Sequence, residues 1–468
     1  GDFNVSMGAY SLDANTTGVD NTAIGSYTLS ANSTGVRNVA IGYASGFNNT
    51  TANDNTSVGA CALYTNTTGG QNTAFGTNAL AANTTASCNT AFGCGAMKSN
   101  TTGSVNTAFG RGALCSNTTG VNSTAIGQLA LRDQTTAGSG NVAVGDLAAL
   151  ATTTGGHNVV MGNSAFRCNT TGANNTAIGV FALMENTTAG DNVAVGCRAL
   201  CDNTTGTRNV AVGNLTLDNG NANSNSVAIG FAALSNTADS SAGNTAVGST
   251  ALLSNSGDNN TAVGCESLYT NTTGTSNAAF GQKASCLNTT GSANTSMGAS
   301  ALRAVTTGSD NTGVGLGAGM SVTTGSNNSF LGHDSGRSTS PFEVTTESNR
   351  IVLGDNSVTN AYIKVALTVT SDLRDKTNFG EVPHGLDFVN KLKPVSFQFK
   401  KSREDNTPHG DVRYGFKAQD ILELEGDNNV IIDNEQSDHL KYKGEHLVPV
   451  LVNAIKDLKK EIDELKNK

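Results

Sequence analysis

From Gly1 to about Gly332 the chain alternates short apolar segments with runs of Asn, Thr, Ser and Gly, and the pattern returns every seventeen residues. The stretch Asn106 to Asn122, N-T-A-F-G-R-G-A-L-C-S-N-T-T-G-V-N, shows the unit. Its first glycine recurs at Gly8, Gly25, Gly42, Gly59, Gly76, Gly93, Gly110 and Gly127, then after one extra residue from Gly145 through Gly162, Gly179, Gly196 and Gly213 to Gly230. It slips again near Gly248 and Gly264 and runs evenly through Gly281, Gly298, Gly315 and Gly332. The residue before each glycine is apolar, from Met7 and Ile24 to Leu331, and a second apolar residue follows four places after it, as in Leu63, Leu80, Met97 and Leu114. A fixed period of this size marks a repeat architecture in which each copy is one turn stacked on the next.

Two short apolar segments separated by turn-formers are too short for free-standing helices. The pattern predicts two short strands per turn, with N-T-T-G and the glycine as corners, because Gly and Asn tolerate positive φ. Stacked in register at about 4.8 Å per turn, some twenty turns make a β-solenoid rod about 95 Å long. The alternative for the A-L segment is a short helical turn. Two buried apolar side chains per turn contribute about 1.5–3 kcal/mol each. Ordering seventeen residues costs about 1–2 kcal/mol apiece. A single chain with so thin a core is marginal, so copies are expected to pack together as a trimer sharing the small Ala/Ile faces.

Composition narrows the function classes. The 468 residues carry a net charge of −9 with 14 % charged residues and 55 glycines. A mildly acidic chain without a Lys/Arg block argues against nucleic acid as partner, and no apolar run reaches membrane-spanning length, so no membrane insertion is expected. The chain opens inside a repeat without an initiator Met or signal-like segment, which implies a natural N-terminal part that is missing. All nine cysteines lie in the repeats without a C-x-x-C pair and read as small apolar fillers, with no metal site. The N-T-T triplets match the glycosylation sequon but read as turns, and the glycines at Gly313, Gly315, Gly317 and Gly319 lack the Lys-Ser/Thr of a phosphate loop. No cofactor is implied.

The period breaks between Gly332 and Ser371. Residues 333–370 read as a neck, in which Arg350–Gly354 echoes the repeat strand and Ala361–Thr370 reads as another strand. The loops from His333 to Thr346 are the place where a rod tip would meet a receptor. From Ser371 the composition changes: the last 98 residues hold 16 of the 28 Lys and Arg and 19 of the 37 Asp and Glu. Here the patterning predicts a small α+β domain. It has a helix near His384–Leu392, strands at Val395–Lys400 and Val412–Phe416, a helix near Gln419–Leu424, strands near Val430–Asp433 and Leu440–Lys443, and a final helix over 446–467. That helix spaces Leu451, Ile455, Leu458, Ile462 and Leu465 alternately four and three residues apart, a coiled-coil seam suited to trimerisation. The alternative is an amphipathic helix packed on its own domain.

Ser371-Asp372-Leu373-Arg374-Asp375-Lys376 resembles the S-D-x-R-x-K motif that opens the C-terminal intramolecular chaperone domain of endosialidases and other phage tail fibres and spikes. Leu392–Phe397 (L-K-P-V-S-F), Gly415–Asp420 (G-F-K-A-Q-D) with Gly415 and Gln419, Leu447–Leu451 (L-V-P-V-L) and Ala454–Leu458 (A-I-K-D-L) follow in the family's order and spacing. The resemblance covers Ser371–Lys468. It implies a domain that trimerises, guides folding of the fibre ahead of it, and is released by self-cleavage. Carried over, Ser371 and Lys376 form the catalytic dyad, Asp372 and Arg374 support the motif, and Ser371–Asp372 is the scissile bond; because a Ser hydroxyl attacking its own carbonyl would close a four-membered ring, a water or another copy's group is the alternative nucleophile. A buried Lys that sheds its proton can serve a hydroxyl as base, whereas Asp375 beside Lys376 would hold it charged and slow the cut. The repeats are similar to Asn/Gly/Ala-rich arrays of phage fibres.

Taken together these features point to a homotrimeric virion fibre assembled in the host cytoplasm. It would contact a host-surface glycan or receptor and join other tail proteins through the missing N-terminal part. A polysaccharide-degrading spike would need paired carboxylates, while the repeat acids (Asp20, Asp54, Asp146, Glu185, Asp202) read as scattered singly. A cellular trimeric adhesin would need a membrane anchor.

Overall fold

The computed structural model describes residues 1–135, 138–220, 222–237, 241–364, 371–400, 405–427, 429–435 and 437–467. It divides into two compact units: Gly1–His333 with Val344–Ile351, and Asp334–Glu343 with Val352–Lys468. The first is a β-solenoid, so the protein is mainly β, and the second holds the small α+β region.

Each solenoid turn carries one strand of three residues, from β1 (Val5–Met7) to β20 (Ser329–Leu331). Neighbouring turns pair in parallel and in register, Thr73 with Thr90, Ala74 with Ala91 and Phe75 with Phe92. Glycine closes the strand because its backbone is crossed closely. Gly110 has φ 142°, and a Cβ there would stand 2.3 Å from the Gly127 carbonyl oxygen.

The second strand expected per turn is absent. In its place stand consecutive tight turns: Ala113 N–H donates to Gly110 O, Cys115 N–H to Gly112 O and Asn117 N–H to Leu114 O. Leu114 has φ 51°, and Leu63, Leu80, Leu131 and Leu183 repeat the left-handed conformation. A bulky residue seldom adopts it, at a cost of about 1–2 kcal/mol. The reason lies in the core. Ala113 and Leu114 are adjacent, yet both are fully buried, whereas neighbours on a strand point to opposite faces. The reversed turns swing both side chains inward while Leu114 N–H still donates along the axis to Ala130 O at 3.0 Å.

The core also differs from a pairing of the two apolar positions. The central strand residue, usually Ala as in Ala74, Ala91 and Ala108, is buried against the A-L segment. The apolar residue before the glycine points outward: Phe75, Phe92 and Phe109 are 44 %, 40 % and 51 % exposed. Period 2 along a three-residue strand decides this, since burying the centre turns both flanks out.

Two columns of buried asparagine line the corners. In one, Asn72 N–H donates to Asn55 Oδ1 at 2.9 Å while Asn72 Nδ2 donates to Ala86 O. In the other, Asn83 Nδ2 donates to Asn66 Oδ1 and to the same Ala86 carbonyl, at 2.9 and 3.0 Å. Where an asparagine is replaced, its neighbour compensates. Ser123 stands in the first column, and Gln134 donates to Ser123 Oγ and accepts from Asn141 Nδ2 at 3.1 and 3.0 Å.

The second unit contains α1 (Leu386–Lys391), the hairpin β22 (Val395–Lys400) and β23 (Pro408–Gly415), α2 (Ala418–Glu425), the short pair β24 (Ile432–Asp433) and β25 (Lys441–Tyr442), and α3 (Leu447–Lys466). A strand β21 (Ile351–Leu353) lies where the repeat echo was expected. The strand expected over Ala361–Thr370 falls largely outside the described residues, and 361–364 hold no regular element. Phe388, Ile421, Ile431, Ile432, Leu447 and Val450 form the core of this unit. α1 is held to α3 by Asp457, whose carboxylate accepts Leu386 N–H at 3.1 Å, and by Asn453, which donates to the Val382 and His384 carbonyls.

The buried amide ladder is open to test. Asn106 Oδ1 accepts from Ser123 N–H at 3.0 Å, so Asn106→Ala orphans a buried donor and should lower stability by about 1–3 kcal/mol in urea unfolding. Exposed Arg111→Ala should shift it by less than about 0.5 kcal/mol.

Candidate functional site

The Ser371–Lys376 segment is organised by a single 3-10 turn, Leu373–Asp375. Asp372 caps it, its carboxylate accepting Arg374 N–H at 2.8 Å, as a short acidic side chain does at a helix start. The same carboxylate takes Arg374 side-on, Nε to Oδ1 at 3.0 Å and Nη2 to Oδ2 at 2.5 Å. The Arg374 guanidinium thereby holds the Asp372 carboxyl below its usual range, and is itself pushed up. At the end of the turn Lys376 N–H returns to Leu373 O at 3.3 Å. This brings Lys376 Nζ to Ser371 Oγ at 2.5 Å.

Two residues five apart thus meet because a capped turn folds the chain back between them. For Lys376 to act as base, its ammonium must shed a proton and accept that of the hydroxyl, which burial favours. Both side chains are exposed, so the burial expected of Lys376 is not found in this chain. No ion pair among the described residues joins Asp375 to Lys376, and Arg374, on the other side of Asp375, pairs with Asp372.

Gly415 ends β23, pairs with Val395, and lies where a Cβ would stand 3.0 Å from the Phe397 ring. Gln419 is an exposed residue in the first turn of α2. No described hydrogen bond ties either of them to the Ser371–Lys376 pair. The apolar stripe of α3 is covered only in part. Leu447, Val450 and Ala454 are buried in their own unit, while Leu451, Ile455, Leu458, Ile462 and Leu465 are exposed. The first half of the helix therefore packs on its own domain, as the alternative reading has it, and the seam residues are left uncovered.

Sequence reasoning passed over Glu425. Its carboxylate is buried at the end of α2 and accepts from the backbone of Val430, Ile431 and Ile432 at 2.8, 2.6 and 2.9 Å. It lines a cavity of about 250 Å³ together with Pro383, His384, His446 and Pro449. With both oxygens taken by amides it acts as an anchor for the loop after α2. The Gly426-Asp427 turn directly after a helical Glu was the available signal.

In the repeats, the acids are less solitary than their sequence spacing implies. Cys201, Asp202 and Asp218 place ligand-type atoms within 4.8 Å of one another. Arg198 occupies the Asp218 carboxylate at 3.1 Å, so that carboxylate is already ion-paired. Burial pushes the Asp218 carboxyl up against the pull of Arg198. Burial likewise pushes the Cys201 thiol up to about 12, with Asp202 beside it adding to the rise. Cys286 is buried too, but Cys88, Cys94, Cys197 and Cys265 are exposed, which a role as apolar filler does not explain.

Compared with known proteins, residues 371–430 match the family described as the chaperone of endosialidase. No curated protein and no solved structure matches the chain. The matched segment opens on Ser371 and takes in the Ser371–Lys376 pair, α1, the β22–β23 hairpin and α2. The C-terminal region thus carries a segment similar to the chaperone of endosialidase. None of the described helices is long and apolar enough to cross a membrane.

Thiol labelling reads the cysteine environments directly. At pH 8 Cys88, Cys94, Cys197 and Cys265 should react with a maleimide in the folded protein. Cys201, raised from 9.0 to about 12, presents about a thousandfold less thiolate and should stay unlabelled until unfolding. Peptide mass spectrometry after timed quenching checks this.

Proposed function

We propose that this chain is the repeat rod and chaperone of a homotrimeric phage tail fibre that takes part in host-surface attachment. In this reading the C-terminal domain aligns and trimerises three chains, directs their folding and is then released by self-cleavage beside Ser371. The observation that carries it is the match of residues 371–430 to the chaperone of endosialidase directly behind a long solenoid.

A stack of near-identical layers gains little by pairing at one height rather than the next. A C-terminal trimer that sets three chains level removes that ambiguity before the layers close. The exposed seam of α3 supplies the contact: Leu451, Ile455, Leu458, Ile462 and Leu465 extend the apolar stripe past the buried Leu447, Val450 and Ala454, towards the end of the helix and along one edge, and stay exposed. Assembly also supplies the missing burial at Ser371 and Lys376, so the cut follows trimerisation rather than preceding it. The released rod then reaches a host glycan or receptor and joins other tail proteins through an N-terminal part.

Two variants test this. Intact mass and denaturing gels should show the parent split at Ser371–Asp372, and Ser371→Ala and Lys376→Ala whole. An uncut parent would remove the self-cleavage step and leave a permanent trimer cap. The double variant Leu458→Asp/Ile462→Asp keeps the buried Leu447, Val450 and Ala454 but should lose the trimer in sedimentation velocity and, with it, the cleavage. Cleavage that proceeds at the parent rate in a monomeric variant would sink the proposed order of events.

A further inference from the structure

The outward face of the solenoid strands is unlike the rest of the rod. In every strand from Thr22–Ile24 to Ser329–Leu331 the central residue is buried and its two neighbours are turned outward. Across all twenty strands, none of those outward positions is charged; each is Thr, Ser, Val, Ala, Ile, Leu, Met or Phe. Charged side chains such as Arg37, Asp54, Arg111, Asp146 and Asp191 occupy the corners and turns. The uncharged face is three residues wide and twenty layers long, on the order of 900 Å² from strand geometry. Within it the residues before the glycines are apolar in all twenty strands and form an unbroken stripe beside a column that is mostly Thr, and a lone soluble chain seldom exposes so long an apolar surface.

We infer that this strand face is covered by the same face of the other copies of the chain, packed parallel and in register around a shared axis along the rod. Three properties of the face select that occupant. Its area reaches the roughly 800 Å² per partner of a standard interface. Having no charge, it offers no complementarity to a charged partner, and only an equally long, equally uncharged and equally flat surface matches it. Its layer spacing is that of the chain itself, so a parallel copy sets like against like at every level. Phe75, Phe92 and Phe109, stacked at ring separations of 4.7 Å, then form one aromatic block that meets its counterpart only at the correct height. A slip of one turn would set the block's ends against Val58 or Ile126.

This deepens the fibre reading, which brings copies together at the C-terminal helix, by adding a separate contact along the rod. The test uses the full chain with the photo-reactive residue benzoylphenylalanine in place of Phe109, an exposed ring exchanged for a similar one. The control places it at exposed Thr102 in the N-T-T-G corner. After irradiation, the Phe109 position should give chains covalently joined on a denaturing gel, and the linked peptide should lie within one or two turns of Phe109 in the other copy. The Thr102 position should give none. A multimer by sedimentation that yields no joined chains from Phe109, or yields them equally from Thr102, overturns the strand-face contact and leaves the fibre reading standing. A chain that sediments as a monomer overturns both.

Discussion

The solenoid depends on how its buried amides are satisfied. A turn of seventeen residues around so narrow a core must place backbone polar groups where water cannot reach them, and each one left unpaired costs about 1–3 kcal/mol. The asparagine columns answer this by making each turn complete the one before it. Asn72 takes its backbone partner from Asn55, and Asn72 and Asn83 both close on the Ala86 carbonyl. Asparagine serves because one short side chain offers two donors and an acceptor. A turn is therefore never satisfied alone, which is why stability here belongs to the stack rather than to the unit.

The same constraint explains how the array tolerates irregularity. The core admits about one alanine from the strand and an Ala-Leu pair from the turns, and departures arrive in matched sets. Phe330 fills a strand centre opposite Gly319, where a Cβ would stand 2.6 Å from its ring. Ser57 replaces a strand alanine and meets Ser45 at 2.7 Å, as Ser296 meets Ser285 at 3.0 Å. Volume and hydrogen-bonding capacity are kept per layer even where identity is not, as close packing demands. The shifts of period leave the strand register intact, with Thr124 still opposite Val142 across the longer turn.

The C-terminal region solves a different problem. Its helix α3 carries one apolar stripe, of which the first part closes its own domain and the rest is left outside. The turn at Ser371 stores the dyad geometry locally, through a cap and a side-on ion pair that need no tertiary support. The contact between Ser371 and Lys376 is thus formed by sequence-local structure, while both side chains stay exposed. In the fibre reading, that split lets one short segment report whether assembly is complete.

How much of this was legible follows from what each feature depends on. The period, the parallel in-register stacking, the change of character at Ser371 and the six-residue dyad turn are local or repetitive, and the spacing of Gly, Asn and apolar residues shows them directly. Three features were not legible. The A-L segment looked like a second strand, because nothing in one unit shows that two adjacent residues must both face inward; only the closed turn imposes this, and it drives Leu114 to positive φ. The apolar residue before each glycine looked like core, because hydrophobicity alone does not say which side of a three-residue strand is inside. Glu425 was missed for the same reason, since its three amide partners come together only once the loop after α2 folds back. By itself, then, the sequence determined the repeat, its pitch, its two regions and its dyad, because these rest on spacing along the chain. The tertiary structure decided which side chains face inward, since that depends on what stands across the core from them.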